Sequence, residues 1–165
     1  PRYAFRQFKS DGVITARQDP SDYLSALHYL IPDLMNSTGT DRENVIGIGI
    51  DFTSSTVLPV DKTGIPLCFR ADFSNNPHSY VKLWNDHGAN REAEMMTATA
   101  LQRKEQWLME QGGSINSESA IPKLLKVFRE APDVYKATYR WLNSSKPFAK
   151  GKKRCCWWYP PGPNE

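Results

Sequence analysis

Residues Val45 to Val60 read VIGIGIDFTSSTVLPV, and no other stretch limits the possible folds as tightly. Val45, Ile46, Ile48 and Ile50 are β-branched, with Gly47 and Gly49 between them. Such a run, bounded by turn residues, predicts a buried strand whose glycines let another backbone approach closely. The strand is expected to end on Asp51 and run into a polar loop, Thr53, Ser54, Ser55 and Thr56. Val57, Leu58 and Val60 then rebuild a strand. Asp61-Lys62-Thr63-Gly64 has the form of a hairpin loop with Gly64 at positive φ, before a third short strand from Pro66 to Phe69. A hydroxyl-rich loop at the carboxyl end of a buried strand is a common place for a ligand in α/β proteins.

Around this centre the pattern is mainly helical. Asp19-Pro20-Ser21-Asp22 has the residues of a helix start, with Asp19 or Ser21 as the cap. Leu24, Leu27, Leu30, Ile31 and Leu34 follow at helical spacing, so Tyr23 to Met35 is expected to be an amphipathic helix, kinked at Pro32. Residues 1–17 show no period and are read as a poorly defined lead-in. His78 to Trp84 is read as a short helical piece. Asn90 is the expected cap of a longer helix with Met95, Ala98, Leu101, Trp107 and Leu108 on its apolar face, stopped by Gly112-Gly113. Ser117 or Ser119 caps the next, which carries Ile121, Leu124, Leu125 and Phe128, with Pro122 placed in its first turn. Ala131-Pro132-Asp133 opens the last helix, with Val134, Tyr135, Tyr139 and Leu142 along one face. Strands first and helices afterwards describe part of a layered α/β domain.

The chain has 165 residues, enough for one core and short for two. Its net charge of +3 would suggest nucleic acid, were it not concentrated: five basic residues and one acid lie from Lys146 onward, a tail of +4, which leaves residues 1–145 at −1. No apolar run is long enough to span a membrane, and the N-terminus has no signal-peptide pattern, so a cytoplasmic protein is expected. Cys68, Cys155 and Cys156 form neither a disulfide framework nor a zinc spacing. The first residue is Pro1 rather than Met, which reads as a processed or partial product. From about Asn143 the composition changes. A basic cluster, Cys155-Cys156-Trp157-Trp158-Tyr159 and Pro160-Pro161-Gly162-Pro163 carry no period, and residues 143–165 are read as an atypical, disordered tail or a frame-shifted one.

Taken together, three segments resemble the FGGY carbohydrate kinases: Gln18 to Tyr23, Val45 to Cys68, and Asn75-Asn76-Pro77-His78-Ser79-Tyr80-Val81-Lys82-Leu83-Trp84. Gly112 to Glu118 is a weaker fourth block, and the likeness covers roughly residues 13–142. The resemblance implies an actin-like, ribonuclease-H-like α/β fold, with residues 1–142 forming part of the first of two such domains. It implies transfer of the γ-phosphate of ATP, with Mg²⁺, to a hydroxyl of a ketopentose such as L-ribulose. It also implies a partner list of that sugar and a second copy of the intact enzyme, without membrane or nucleic acid. By the same resemblance Ser54 lies in the loop lining the sugar pocket, Trp84 is the indole on which the sugar packs, and Lys82 and His78 share the motif.

These residue types suit a sugar, which needs a flat aromatic surface for its C–H face and hydroxyl or carboxylate groups for its rim. Trp84 supplies the first, and Asp51, Thr53, Ser54 and Ser55 the second. Each has a plainer structural role: a core indole for Trp84, a loop brace for Asp51, a turn residue for His78. The family's glycine-rich phosphate loop and its catalytic aspartate match nothing in this sequence, and Gly47-x-Gly49 belongs to a strand pattern. The expected chain is therefore a piece of a kinase without its ATP site. Two other readings stay open: a non-catalytic sugar-binding or structural remnant, and a nucleic-acid-binding protein working through its basic, aromatic tail.

Overall fold

The computed structural model describes residues 6–10, 13–49 and 53–143. Asp51 and the tail from residue 144 lie outside the described residues, so the expectations placed on them are not taken further. Among the described residues five strands, β1 (Arg6–Ser10), β2 (Val13–Gln18), β3 (Val57–Val60), β4 (Val81–Lys82) and β5 (Arg140–Asn143), form one sheet in the order β1-β2-β4-β3-β5. Every pairing is antiparallel. Five helices accompany them: α1 (Pro20–Thr38), α2 (Asn90–Gln102), α3 (Gln106–Glu110), α4 (Ala120–Glu130) and α5 (Pro132–Ala137). The class is the α/β one expected, but its elements are interleaved, with α1 between strands and β5 last.

β3 is the centre. All four of its residues are buried, and it lies between β4 and β5. Alternation along a strand sends Leu58 and Val60 to one side, where they cluster with Val81, flanked by Tyr23 of α1 and Leu142 of β5. A second cluster joins Leu67, Phe73, Val127, Ala131 and Val134, with Tyr135, Ala137 and Trp141 against it. The turn after β3 is as read. Asp61 Oδ1 accepts from the Thr63 and Ile65 amides, Gly64 has φ 85°, and Val60 bridges Pro66.

The run before β3 departs from expectation. Val45 to Gly49 forms no strand, and all five residues are exposed, Ile46 fully so at 103%. A strand exists only when a neighbour takes its backbone hydrogen bonds, and no described strand pairs with this run. Two glycines add the entropic cost of ordering it. Pro66 to Phe69 is likewise not a strand: after the Pro66 bridge the chain turns into a 3₁₀ helix, Leu67–Phe69.

Three further corrections come from pairing. Residues 6–18 hold a hairpin rather than a lead-in, and β2 continues the sheet by pairing Arg17 with Lys82. His78 to Trp84 is not helical beyond its first residues. Asn76 caps a single 3₁₀ turn, Pro77–Ser79, by accepting from the His78 amide, and Val81–Lys82 then becomes β4 between two strands. The last helix stops at Ala137, because the Tyr139 amide donates to the Val60 carbonyl at 2.9 Å and Arg140–Asn143 pairs with β3 residue by residue.

The helices were better forecast. Asp19 caps α1 by accepting from the Ser21 amide at 3.0 Å, and left-handed Gly39 ends it. Its leucine face, however, is largely open to solvent: Leu24, Leu30 and Leu34 are exposed, Leu27 and Ile31 half-buried, and Pro20 is the buried residue of the helix. α2 begins with Asn90 as its first residue and Ala89 at the cap. The long helix is interrupted after Gln102, where Lys104 adopts φ 54°, and resumes as α3, closed by Gly112 and Gly113 in the left-handed region. Pro122 sits in the first turn of α4 as expected.

Candidate functional site

The polar loop before β3, the turn after β4 and the loop before α4 converge on a cavity of about 400 Å³ lined by Thr53, Ser54, Ser55, Trp84, Asn116, Glu118 and Ser119. Each wall has a local cause. Thr53 and Thr56 share a hydroxyl hydrogen bond of 2.7 Å, and Ser55 adopts φ 58°, so the chain turns sharply into buried β3. On the opposite wall Asn116 accepts from the Glu118 amide through its side chain at 2.9 Å, and its carbonyl accepts from the Ser119 amide at 3.0 Å. Trp84 lies two residues beyond β4 and is 47% exposed, an indole left at the surface rather than packed in the core.

One side chain joins these walls. Lys123, in α4, donates from Nζ to the carbonyls of Leu83 at 2.7 Å, Trp84 at 3.1 Å and Ser55 at 3.1 Å. Burial pushes its ammonium pKa down to about 8, Arg17 lowers it further in the same sense, and Glu118 opposes the change.

Of the residues expected at the site, Ser54 and Trp84 both line the cavity. Lys82 and His78 are placed elsewhere. Lys82 is wholly buried in β4 with Nζ donating to the His78 carbonyl at 2.6 Å, and its ammonium lies 5.4 Å from the centre of the Trp141 ring. Burial, with Arg17 and Lys123 nearby, holds its pKa well below the ordinary lysine value. His78 Nε2 is 3.3 Å from Glu130, yet that carboxylate is already held by Lys126 at 2.5 Å. Burial first, and then the positive charges of Lys82, Arg17 and Lys126, depress the His78 pKa to about 3, so its ring is neutral. Both residues brace β4, which sets where Trp84 emerges. Arg17 completes that brace by pairing with buried Asp86 and donating to the Pro77 carbonyl.

Asn116, Glu118 and Ser119 were not singled out as site residues. Asn116 and Glu118 belong to the weaker fourth block of resemblance, which was their only signal. Lys123 had none.

The groove offers one flat apolar surface, three neutral hydroxyl donors on one wall, and an amide, a hydroxyl and a carboxylate on the other. That set can grip a polyhydroxylated molecule by face and rim. Among the described residues no group of three or more His, Cys, Asp and Glu is placed to hold a metal ion. Among them also, no helix is long and apolar enough to cross a membrane.

No family model matches the chain. Curated relatives do. A ribulokinase from Bacillus licheniformis is 46% identical over 122 residues, 74% of this chain and 22% of that protein. A ribulokinase from Geobacillus thermodenitrificans is 42% identical over 130 residues, 79% of this chain and 23% of that one. Among solved structures, a xyloylose kinase from Brucella ovis superposes with a TM-score of 0.64 at 19% identity, covering 86% of this chain and 26% of its own. That likeness carries the fold alone: the sheet and helices are arranged as in the matched part of that structure. The chain spans less than a quarter of the length of the curated relatives it matches. Over the stretch they share, identity this high makes the chain similar to a segment of the ribulokinases, which are FGGY carbohydrate kinases.

Proposed function

We propose that this chain supplies acceptor-sugar contacts of an ATP-dependent carbohydrate kinase, and that the sugar is a ketopentose, L-ribulose foremost. The observation that carries this reading is that Ser54 and Trp84 line one groove. The relatives named ribulokinase supply the sugar class. In this reading the sugar lays its C–H face on the Trp84 indole. Ser54 and Ser55 hold hydroxyls on one side, and Asn116 and Glu118 accept from hydroxyls on the other. These groups bind and orient, converting part of the encounter cost into a fixed geometry.

Phosphoryl transfer also needs a phosphate cradle, a metal and a group that positions the attacking hydroxyl. In this reading those parts come from elsewhere in the kinase, which is supported by the want of a glycine-rich phosphate loop and of a metal-ligating cluster among the described residues. The chain alone is therefore proposed to bind sugar without turning over ATP. A sugar-binding segment with no catalytic role would use the same groove. Mixing the chain with the remainder of a relative separates the two, since only the kinase reading predicts restored phosphorylation.

The test is a titration of the ¹⁵N-labelled chain with L-ribulose, followed at the Trp84 indole. Saturable movement is expected, with affinity falling about tenfold in Trp84→Ala and less in Ser54→Ala, as for loss of an aromatic platform against one hydroxyl. No movement at Trp84, or ATP hydrolysis by the chain alone, would overturn the reading.

A further inference from the structure

The walls of the groove come from segments far apart in sequence: residues 53–55, Trp84 and residues 116–119. No strand pairing is shared among them, and the loop carrying Ser54 is reached through Ser55 in the left-handed region, which side chains other than glycine seldom occupy. Something must hold their spacing. Lys123 is the one described side chain seen to bond two of these walls, through the Ser55 and Trp84 carbonyls, while standing four residues beyond Ser119 of the third. It is 2% exposed, and its three N–H groups meet three carbonyls, so its donor capacity is full.

We propose that Lys123 is a positioning residue of the groove, its ammonium setting the distance between the hydroxyl loop and the Trp84 indole. The proposal rests on the sugar reading for what the groove holds, but not for how its walls are held. A buried ammonium is costly to desolvate, and an apolar side chain of similar length would avoid that cost. What an apolar chain cannot do is direct three carbonyls from two separate segments to one point. Fixing geometry is the use for which a buried, fully bonded charge is suited. The surrounding charges fit a single held state. Arg17 from β2 and Lys82 from β4 face the ammonium as like charges, and Glu118 from the loop before α4 is its opposing carboxylate. Losing the proton leaves an amine with two N–H groups and a lone pair among three carbonyl oxygens, so at least one carbonyl is released.

The experiment uses the whole 165-residue chain, ¹⁵N-labelled, as wild type, Lys123→Met and Lys123→Arg. Amide protection in β3 and β5 reports folding, the Ser55, Leu83 and Trp84 signals report the walls, and added L-ribulose reports binding. In folded Lys123→Met the wall signals are expected to shift and broaden while β3 stays protected. Ribulose affinity falls about tenfold or more, and Lys123→Arg recovers part of it. Sharp, unmoved Ser55 and Trp84 signals in folded Lys123→Met, with affinity within about twofold, overturn the proposal. If the wild type ignores ribulose while Lys123→Met still displaces both walls, the positioning stands and the sugar reading falls. If Lys123→Met does not fold, the wild type decides by titration. Ser55, Leu83 and Trp84 should move together with a midpoint near pH 8, as the ammonium deprotonates, while Val60 does not. The absence of that joint transition overturns the proposal.

Discussion

Val57–Val60 and Val45–Gly49 are both short, apolar and rich in β-branched residues, yet one is a strand buried along its whole length and the other is exposed throughout. Hydrophobicity does not separate them. β3 has β4 on one side and β5 on the other, and the Tyr139 amide reaches its last carbonyl. The earlier run has no described neighbour and two glycines. A strand is therefore a property of its partners as much as of its own residues. In this chain those partners arrive from far along the sequence.

The largest test of this contrast is truncation in each run. Leu58, with no exposed surface, packs with Val60, Val81 and Tyr23, so Leu58→Ala is expected to cost about 2–5 kcal/mol in urea unfolding. Ile48→Ala is expected to change stability by less than about 0.5 kcal/mol. Equal losses at the two positions would mean that residues 45–49 are packed.

Acid is the next. His78 is held neutral with a pKa of about 3, whereas in the unfolded chain it titrates near 6.5. Between those values the unfolded state binds more protons, so stability is full above pH 6.5 and declines as pH falls toward 3. From pH 7 to pH 5 the loss is expected to be about 2 kcal/mol. His78→Gln should flatten that slope. Hydrogen exchange adds the local half of the comparison. Protection in β3 and β4 should decline over this window, while the amides of residues 45–49 should exchange fast at both pH values. A slope unchanged in His78→Gln would assign the acid sensitivity elsewhere.

What was legible in the sequence follows the same division between local and distant causes. The Asp19 cap, the Gly64 turn and Pro122 in a first turn are decided by residues within one or two turns, and each stands where it was read. β2 was missed because the buried residues described from Thr15 onward are Thr15 and Arg17, and Arg17 is buried only because Asp86 and the Pro77 carbonyl meet it. β4 was read as helix because an Asn-Pro-His start resembles a cap, and two residues of strand leave no period. In α4 the apolar face was placed on Ile121, Leu124, Leu125 and Phe128, but the buried residues include Lys123 and Val127, one turn apart. A lysine inside a helix reads as a solvated face. Its burial depends on carbonyls up to 68 residues away. Ser54 and Trp84 were picked out through the family's motif and not through their chemistry alone.

The smallest effect gives the sharpest comparison, because it makes one change in two settings. A Cβ on Gly88 would stand 2.8 Å from the Thr15 methyl and 2.9 Å from Asp86 Oδ1, the atom that accepts the Gly88 amide. Both are held: Thr15 is buried in β2, and Asp86 is paired with Arg17. Gly88→Ala is expected to cost about 1–3 kcal/mol, since neither neighbour can retreat without breaking what fixes it. A Cβ on Gly47 would meet nothing within 4 Å, and its φ lies outside the left-handed region. Gly47→Ala is therefore expected to be neutral, or to add about 0.4–1 kcal/mol by reducing the freedom of the unfolded chain. The sign at Gly47 decides between the two accounts of this run. A glycine kept for close approach in a packed strand would penalise alanine, as Gly88 does, and one in an open segment would not. A loss above about 1 kcal/mol in Gly47→Ala would show that another backbone lies against residues 45–49, and that their likeness to β3 extends beyond composition.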